Sequence, residues 1–288
     1  MTATVTTQFV QQFDRSLRTA VQQVESRLQR TVTDRGTIEG ATFTINNLGA
    51  LGLLDENVQR HGDTLWSEIE HSARLAAMRD FFKALPLDRA DIPKMAVNPV
   101  TGGQYMSQLI AARNRTIDAI IFKALGATIT TVDGATSYVL PSTQKIVGGG
   151  TGMTKAKVIQ ARTLFRANEA DEMNGQKLYM LYNAVVLGQL LADTTLTNNQ
   201  YGNLVSLQEG KVHDFMGFEW IPYEALNVAA GVYTTFAYTK EAINFGRAYE
   251  EGDVAKRPDK KNSWQVSMAS SYGAGRQDEK KVVSIDFQ

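Results

Sequence analysis

Three histidines, His61, His71 and His213, are the first residues to test for chemistry in this sequence. A metal centre built on imidazole needs ligands held at short fixed spacings, one helical turn or one strand step apart. These three are scattered, so the reading is three structural or surface residues, His213 beside Asp214 included. Cysteine is absent, which removes thiolate nucleophiles, thiolate metal ligands and disulfides together. No Gly-x-Ser-x-Gly elbow supports serine hydrolysis. Asp88 and Asp91 flank a bend between Pro86 and Pro93 and read as turn residues.

The run Gly148-Gly149-Gly150-Thr151-Gly152 ahead of a helix is the one phosphate-like feature. Glycines there allow backbone amides to converge on an anion. The run lacks the spacing of a nucleotide-binding loop, and Lys155 and Lys157 fall inside the helix that follows. A surface loop is the plainer reading, with an enzyme carrying a phosphate-binding loop at 148–152 as a distant alternative. Catalytic residues, cofactor-binding residues and metal ligands are therefore each expected to be none. Lys256-Arg257-Pro258-Asp259-Lys260-Lys261 is locally basic, but Glu250, Glu251 and Asp253 precede it and Asp259 interrupts it, as on a solvated face.

The elements around these residues have no site to position, and their own patterns become the informative signal. The chain has 288 residues, and its 30 Lys+Arg balance 30 Asp+Glu, so there is no overall charge excess for a polyanion. No basic start leads into a long apolar core, and no run reaches eighteen apolar residues; an unexported protein outside the membrane is expected. Phe9, Phe13, Leu17, Val21, Val24 and Leu28 recur at threes and fours, an amphipathic helix with no local partner for its stripe. From Thr33 to about Asp63 glycines break the chain into short pieces. Thr42-Phe43-Thr44-Ile45 reads as a strand, and Leu48, Leu51, Leu53 and Leu54 are many leucines for a glycine-rich loop. Two readings stay open: an extended hairpin arm whose tip docks on something, or a loop folded back onto its own domain.

Residues 64–98 read as a strand or short helix up to Phe81 and Phe82, then as turns and extended chain set by Pro86, Pro93 and Pro99. Thr101-Gly102-Gly103-Gln104 has the form of a capping box for a long helix over 102–125, ended by Gly126. Arg113, Arg115 and Asp118 in or beside its stripe suggest a helix lying across a sheet with one side exposed. A second helix is predicted from Thr154, as cap, to about Ala170, with Val158, Ala161 and Phe165 inward. A strand follows at Leu178–Tyr182, a helix at Ala184–Ala192, and strands at Phe218–Ile221 and Val232–Tyr238. Trp264, Val266 and Met268, then Val283, Ile285 and Phe287, alternate as a closing antiparallel pair connected through Gly273 and Gly275.

Taken in order, these elements resemble the HK97-type major capsid proteins of tailed double-stranded DNA bacteriophages, an α+β fold. The resemblance covers nearly all of the chain. Its most specific part runs from Tyr201-Gly202-Asn203 through Glu209-Gly210-Lys211-Val212-His213-Asp214-Phe215-Met216-Gly217-Phe218-Glu219-Trp220-Ile221, then Arg257-Pro258-Asp259-Lys260. It closes with Tyr272-Gly273-Ala274-Gly275-Arg276 and Glu279-Lys280-Lys281-Val282-Val283-Ser284-Ile285-Asp286.

The resemblance implies an N-terminal arm at 1–32, an E-loop at 33–72, a peripheral domain at 73–149 with its spine helix at 102–125, an axial domain at 150–245, and a return with a C-terminal β-hairpin at 246–288. It implies self-assembly into hexamers and pentamers of an icosahedral shell around packaged DNA, contacted without sequence specificity, in the virion after assembly in the host cytoplasm. Maturation is expected to move both arms relative to the helix. Portal and decoration proteins are implied partners. The segment before residue 33 is too short to resemble a fused scaffolding domain, so a separate scaffolding protein is expected. In the namesake subtype an E-loop lysine bonds covalently to a neighbour's asparagine; here the first lysine is Lys83, so a non-covalent lattice is expected. A tail or other self-assembling phage component is the runner-up.

Overall fold

Strands take the largest share of the described chain, ahead of three helices. The computed structural model describes residues 22–54, 66–92, 103–170, 172–192 and 214–288. In chain order the strands are β1 (Thr33–Thr37), β2 (Thr42–Leu48), β3 (His71–Ala77), β4 (Arg79–Leu87), β5 (Ile129–Thr131), β6 (Ser137–Tyr138), β7 (Lys145–Ile146) and β8 (Leu178–Tyr182). They continue as β9 (Asp214–Phe215), β10 (Phe218–Pro222), β11 (Asn227–Ala229), β12 (Val232–Thr239), β13 (Ile243–Arg257), β14 (Ser263–Arg276) and β15 (Val282–Phe287). The helices are α1 (Gln104–Gly126), α2 (Lys155–Ala167) and α3 (Ala184–Ala192).

The chain divides into two compact units. The larger takes Ser26–Arg79, Thr116–Ala248 and Tyr272–Gln288, and the smaller takes Asp80–Arg115 and Tyr249–Ser271 with residues up to Glu25. The larger unit is centred on a sheet of order β7-β15-β12-β8-β10-β9, with β11 on β12. β8 pairs parallel with β10 and antiparallel with β12, which pairs antiparallel with β15. Leu178, Tyr179, Met180 and Leu181 are consecutive and all buried, as in a strand covered on both faces. Helix α2 packs on β15 and β7, and α3 packs on β8. The predicted inner face of α2 is wholly buried, with Val158, Ala161 and Phe165 at 0% exposure. Phe165 also meets Phe218 of β10 edge to face, ring centroids 6.0 Å apart.

A second sheet of the larger unit, β2-β3-β5-β6, packs Phe43, Ile45, Ala76 and Ile129 into a small core. β1 pairs parallel with the first part of β13, Thr33 opposite Asn244. In the smaller unit β13, β14 and β4 share one sheet, with β4 at its edge.

Several expectations need correction. The closing pair of 264–268 with 283–287 does not form: β14 lies between β13 and β4, while β15 pairs with β12 and β7 in the other sheet. Gly273 and Gly275 sit inside β14 and make no connection. A Cβ on Gly273 would lie 2.7 Å from Met78 Sδ and 2.9 Å from Ala77 O, and one on Gly275 2.7 Å from Ile45 Cδ1. These glycines are strand residues that let another strand approach closely. Pro86 stands inside β4, in extended chain as expected, and is tolerated there because an edge strand has one row of amides that need no partner. Thr154 precedes α2 but makes no side-chain cap bond. The second half of helix α1 is more covered than one exposed side would allow. Ile117, Asp118, Ile121, Phe122, Ala124 and Leu125 are buried, and of residues 116–125 only Lys123 is exposed.

Candidate assembly surfaces

The hairpin of β2 and β3 keeps register over seven pairs, Thr42↔Ala77 to Leu48↔His71, and Gly49 N donates to Glu70 O at 2.8 Å beyond the last of them. Its two ends have opposite character. Phe43, Ile45, Arg74 and Ala76 are buried at the base, where β5 pairs with Arg74 and Leu75. Beyond the Ile45↔Arg74 pair no described residue of the arm is buried. Leu48 is 62% exposed, Leu51 58%, Trp66 91%, Leu53 99% and Leu54 100%. Leu51, Leu53 and Leu54 are exposed, as the extended-arm reading expects, and are not folded back onto their own domain. His71 lies exposed at the last pair. His61 and His213, the stripe Phe9 to Val21, Pro93, Pro99, Thr101 and Gly102 lie outside the described residues.

The end of the N-terminal segment is anchored within its own chain. Asp118 of α1, 1% exposed, accepts from Ser26 Oγ at 2.6 Å and from the Arg27 and Leu28 amides at 3.1 Å each. Leu28 and Thr31 are fully buried, and the Thr31 and Tyr238 hydroxyls share a 2.6 Å hydrogen bond. Burial drives the Tyr238 phenol far above its ordinary pKa, so it stays neutral. Val24 remains 58% exposed. Asp118 thus points inward, where the sequence suggested a mark of an exposed face.

Where the arm leaves the second sheet, two arginines share one carboxylate. Arg74 of β3 grips Glu279 with both ends of its fork, Nη1 to Oε1 at 2.7 Å and Nη2 to Oε2 at 2.8 Å, and lies over the Tyr138 ring at 4.2 Å. Arg276 Nε donates to Glu279 Oε1 at 3.2 Å. Its terminal nitrogens reach the Leu125 and Ala127 carbonyls at 2.8 and 2.9 Å and Tyr138 O at 3.1 Å. Leu125 O belongs to the last turn of α1, where a cation also complements the helix dipole. Burial alone would raise the Glu279 carboxyl, but the hydrogen bond and charge of Arg74 and the charge of Arg276 hold it below the ordinary glutamate range. Burial lowers the Arg276 pKa while Glu279 draws it back up.

The glycine loop does not support the phosphate-binding alternative. Lys157 Nζ is surrounded by the carbonyl oxygens of Gly148, Thr151, Gly152 and Asp286 at 2.9 to 3.0 Å. Oxygen acceptors therefore converge there on a cation. Desolvation pulls the ammonium pKa down and the Asp286 charge pulls it back up. Gln288 N donates to Thr151 O, tying the last residue to the same loop. Asp88 accepts from the Ala90 amide at 3.1 Å, as a turn residue does. Arg257 is paired with Asp259, and Lys256 sits over the Trp264 ring at 4.9 Å. Among the described residues no group of three or more His, Asp or Glu is placed to hold a metal ion, and no helix is long and apolar enough to cross a membrane.

This fold has counterparts among solved capsids. The cyanophage Pam1 capsid subunit superposes with a TM-score of 0.74 at 13% identity, over 100% of this chain and 98% of that one. The capsid of cyanophage P-SCSP1u gives 0.70 at 16%, over 98% and 94%, and the mature capsid of bacteriophage PhiM1 gives 0.68 at 13%, over 97% and 92%. No curated protein matches the sequence. The architecture is the HK97-type capsid fold. The chain belongs to the family described as Phage capsid protein, whose model matches residues 5–288. It is a major capsid protein, a structural component of the virion that self-assembles into the capsid shell.

Proposed function

We propose that the shell is built of hexamers and pentamers held without covalent links, each copy laying the leucine tip of its arm on an adjacent copy. The observation that carries this reading is the exposure of Leu53 and Leu54 at the end of a well-registered hairpin. Burying a large apolar side chain contributes about 1.5 to 3 kcal/mol. Leu48, Leu51, Leu53, Leu54 and Trp66 together offer roughly 7 to 15 kcal/mol on that basis. Association itself costs on the order of 4 to 15 kcal/mol, so one tip contact is close to break-even. A closed ring in which every copy both gives and receives a tip, with further contacts on other edges, stabilises the lattice where an isolated pair would fall apart.

On this reading residues 1–32 form the N-terminal arm, 33–72 the E-loop, 73–149 the peripheral domain, 150–245 the axial domain and 246–288 the return. The shell encloses double-stranded DNA without reading its sequence, which balanced overall charge favours, and the role is mechanical rather than enzymatic. Assembly takes place in the host cytoplasm with a separate scaffolding protein, and portal and decoration proteins complete the particle. Maturation shifts both arms between two packings.

Negative-stain microscopy of the expressed chain tests the core of this. Shells or their rings are expected from the parent and not from Leu53→Asp/Leu54→Asp; normal shells from that variant would overturn the tip-docking reading.

A further inference from the structure

The arm has a defined point of exit, and the charges at that point outnumber what simple cohesion requires. Arg74 is the last buried residue of β3 before the free part of the arm. Its partner Glu279 lies 205 residues away, in the turn Glu279–Lys281 between β14 and β15. Through that carboxylate and Arg276 the arm strand is coupled to the carbonyls that close α1 and to Tyr138 of β6. Two guanidiniums share one carboxylate, and Arg74 Nε has no partner. An apolar residue would fill the place of Arg74 without that unsatisfied atom. What an apolar residue would lack is direction, because a bidentate fork fixes both distance and orientation.

We propose that Arg74 is a positioning residue for assembly: its fork on Glu279 sets the angle at which the arm leaves the body and so where the leucine tip arrives on a neighbouring copy. The lever makes the angle matter. From Ile45↔Arg74 to Leu48↔His71 the arm extends three pairs, about 10 Å at roughly 3.4 Å per residue. A tilt of about 20° there moves the last pair by roughly 3.5 Å, close to the full reach of an apolar contact. The tip beyond moves further.

The proposal rests on the tip-docking reading for its consequence and on the arm alone for its cause, and the two can be told apart. The test compares full-length Arg74→Met and Arg74→Lys with the parent, by amide exchange of unassembled subunits and by particle yield. Arg74→Met leaves Glu279 paired with Arg276. It is expected to speed exchange in 42–48 and 71–77 about tenfold or more, with β8, β12 and β15 unchanged, and to cut the yield of closed shells. Arg74→Lys, which keeps the charge and loses the fork, should fall between, and it decides the matter if Arg74→Met does not fold. Unchanged arm exchange, or exchange raised equally throughout the body, would overturn the proposal. Faster arm exchange with normal shells would keep the fork's hold on the arm, overturn its role in assembly, and count against tip docking as well.

Discussion

The two ends of the β2–β3 arm are made from the same hairpin and obey opposite rules. At the base Phe43, Ile45 and Ala76 are buried against Ile129, and the arm is part of its own subunit's core. At the tip Leu53 and Leu54 touch almost nothing of their own chain. A substitution at the base is therefore felt by the folded monomer, and one at the tip only by the assembly. The largest effect expected is all-or-none: Leu53→Asp/Leu54→Asp should abolish shells while moving unfolding stability by no more than about 0.5 kcal/mol, as exposed positions do. Size-exclusion chromatography paired with thermal unfolding reads both quantities on one sample. A large loss of stability would show that the tip belongs to the core after all.

The converse sharpens the contrast. Ile45→Ala removes a side chain at 0% exposure and should cost about 2 to 5 kcal/mol in denaturant unfolding. Any assembly defect should then track the unfolded fraction, whereas a tip defect should appear with the subunits still fully folded. Between these extremes stands the anchor of the N-terminal segment. Asp118→Ala strands the buried Leu28 amide and two neighbouring donors, with a cost of about 1 to 3 kcal/mol for a buried group left unpaired. Protease cleavage near residues 24–30 should become faster in that variant; unchanged cleavage would mean that Leu28 and Thr31 hold the segment by packing alone.

Most of this contrast was legible in the sequence at the tip and much less of it at the base. Leucines in a glycine-rich stretch are a local anomaly, and the 3.6-residue period of Val158, Ala161 and Phe165 states which face of α2 is inward. β8 and α3 were equally plain, because each is a short apolar run bounded by turn residues. What failed were statements about partners. The alternation in 264–268 and 283–287 is right for two strands but carries nothing about which strand each one pairs with. The glycines that looked like a turn are where β14 lets other residues come within contact distance. Asp118, Arg74 and Lys157 were misread or passed over for one common reason. A charged residue is buried when its partners arrive from elsewhere in the chain, here from residues 26–28, from Glu279 and from four carbonyls, and spacing along the chain does not record that arrival.

The smallest expected effect probes the join between the two ends. In the folded chain Glu279 is held below the ordinary glutamate range, facing Arg74 on β3 and Arg276 on β14. A carboxylate with a depressed folded pKa adds stability that is fully present above its unfolded value, about 4.3, and is lost as pH falls through the folded value. Arm protection should therefore be flat from neutral pH down to about 4.5 and decline below it. Other carboxylates titrate in the same window, so the decline in the parent alone is not diagnostic. The diagnostic quantity is the difference from Glu279→Gln, which lacks the titrating group. Its arm should exchange faster than the parent's at pH 7, and the gap should close as acid removes the parent's charge. A gap that stays constant with pH would assign the arm's hold to packing of Ile45 and Ala76 rather than to the shared carboxylate. The base would then differ from the tip only in being covered.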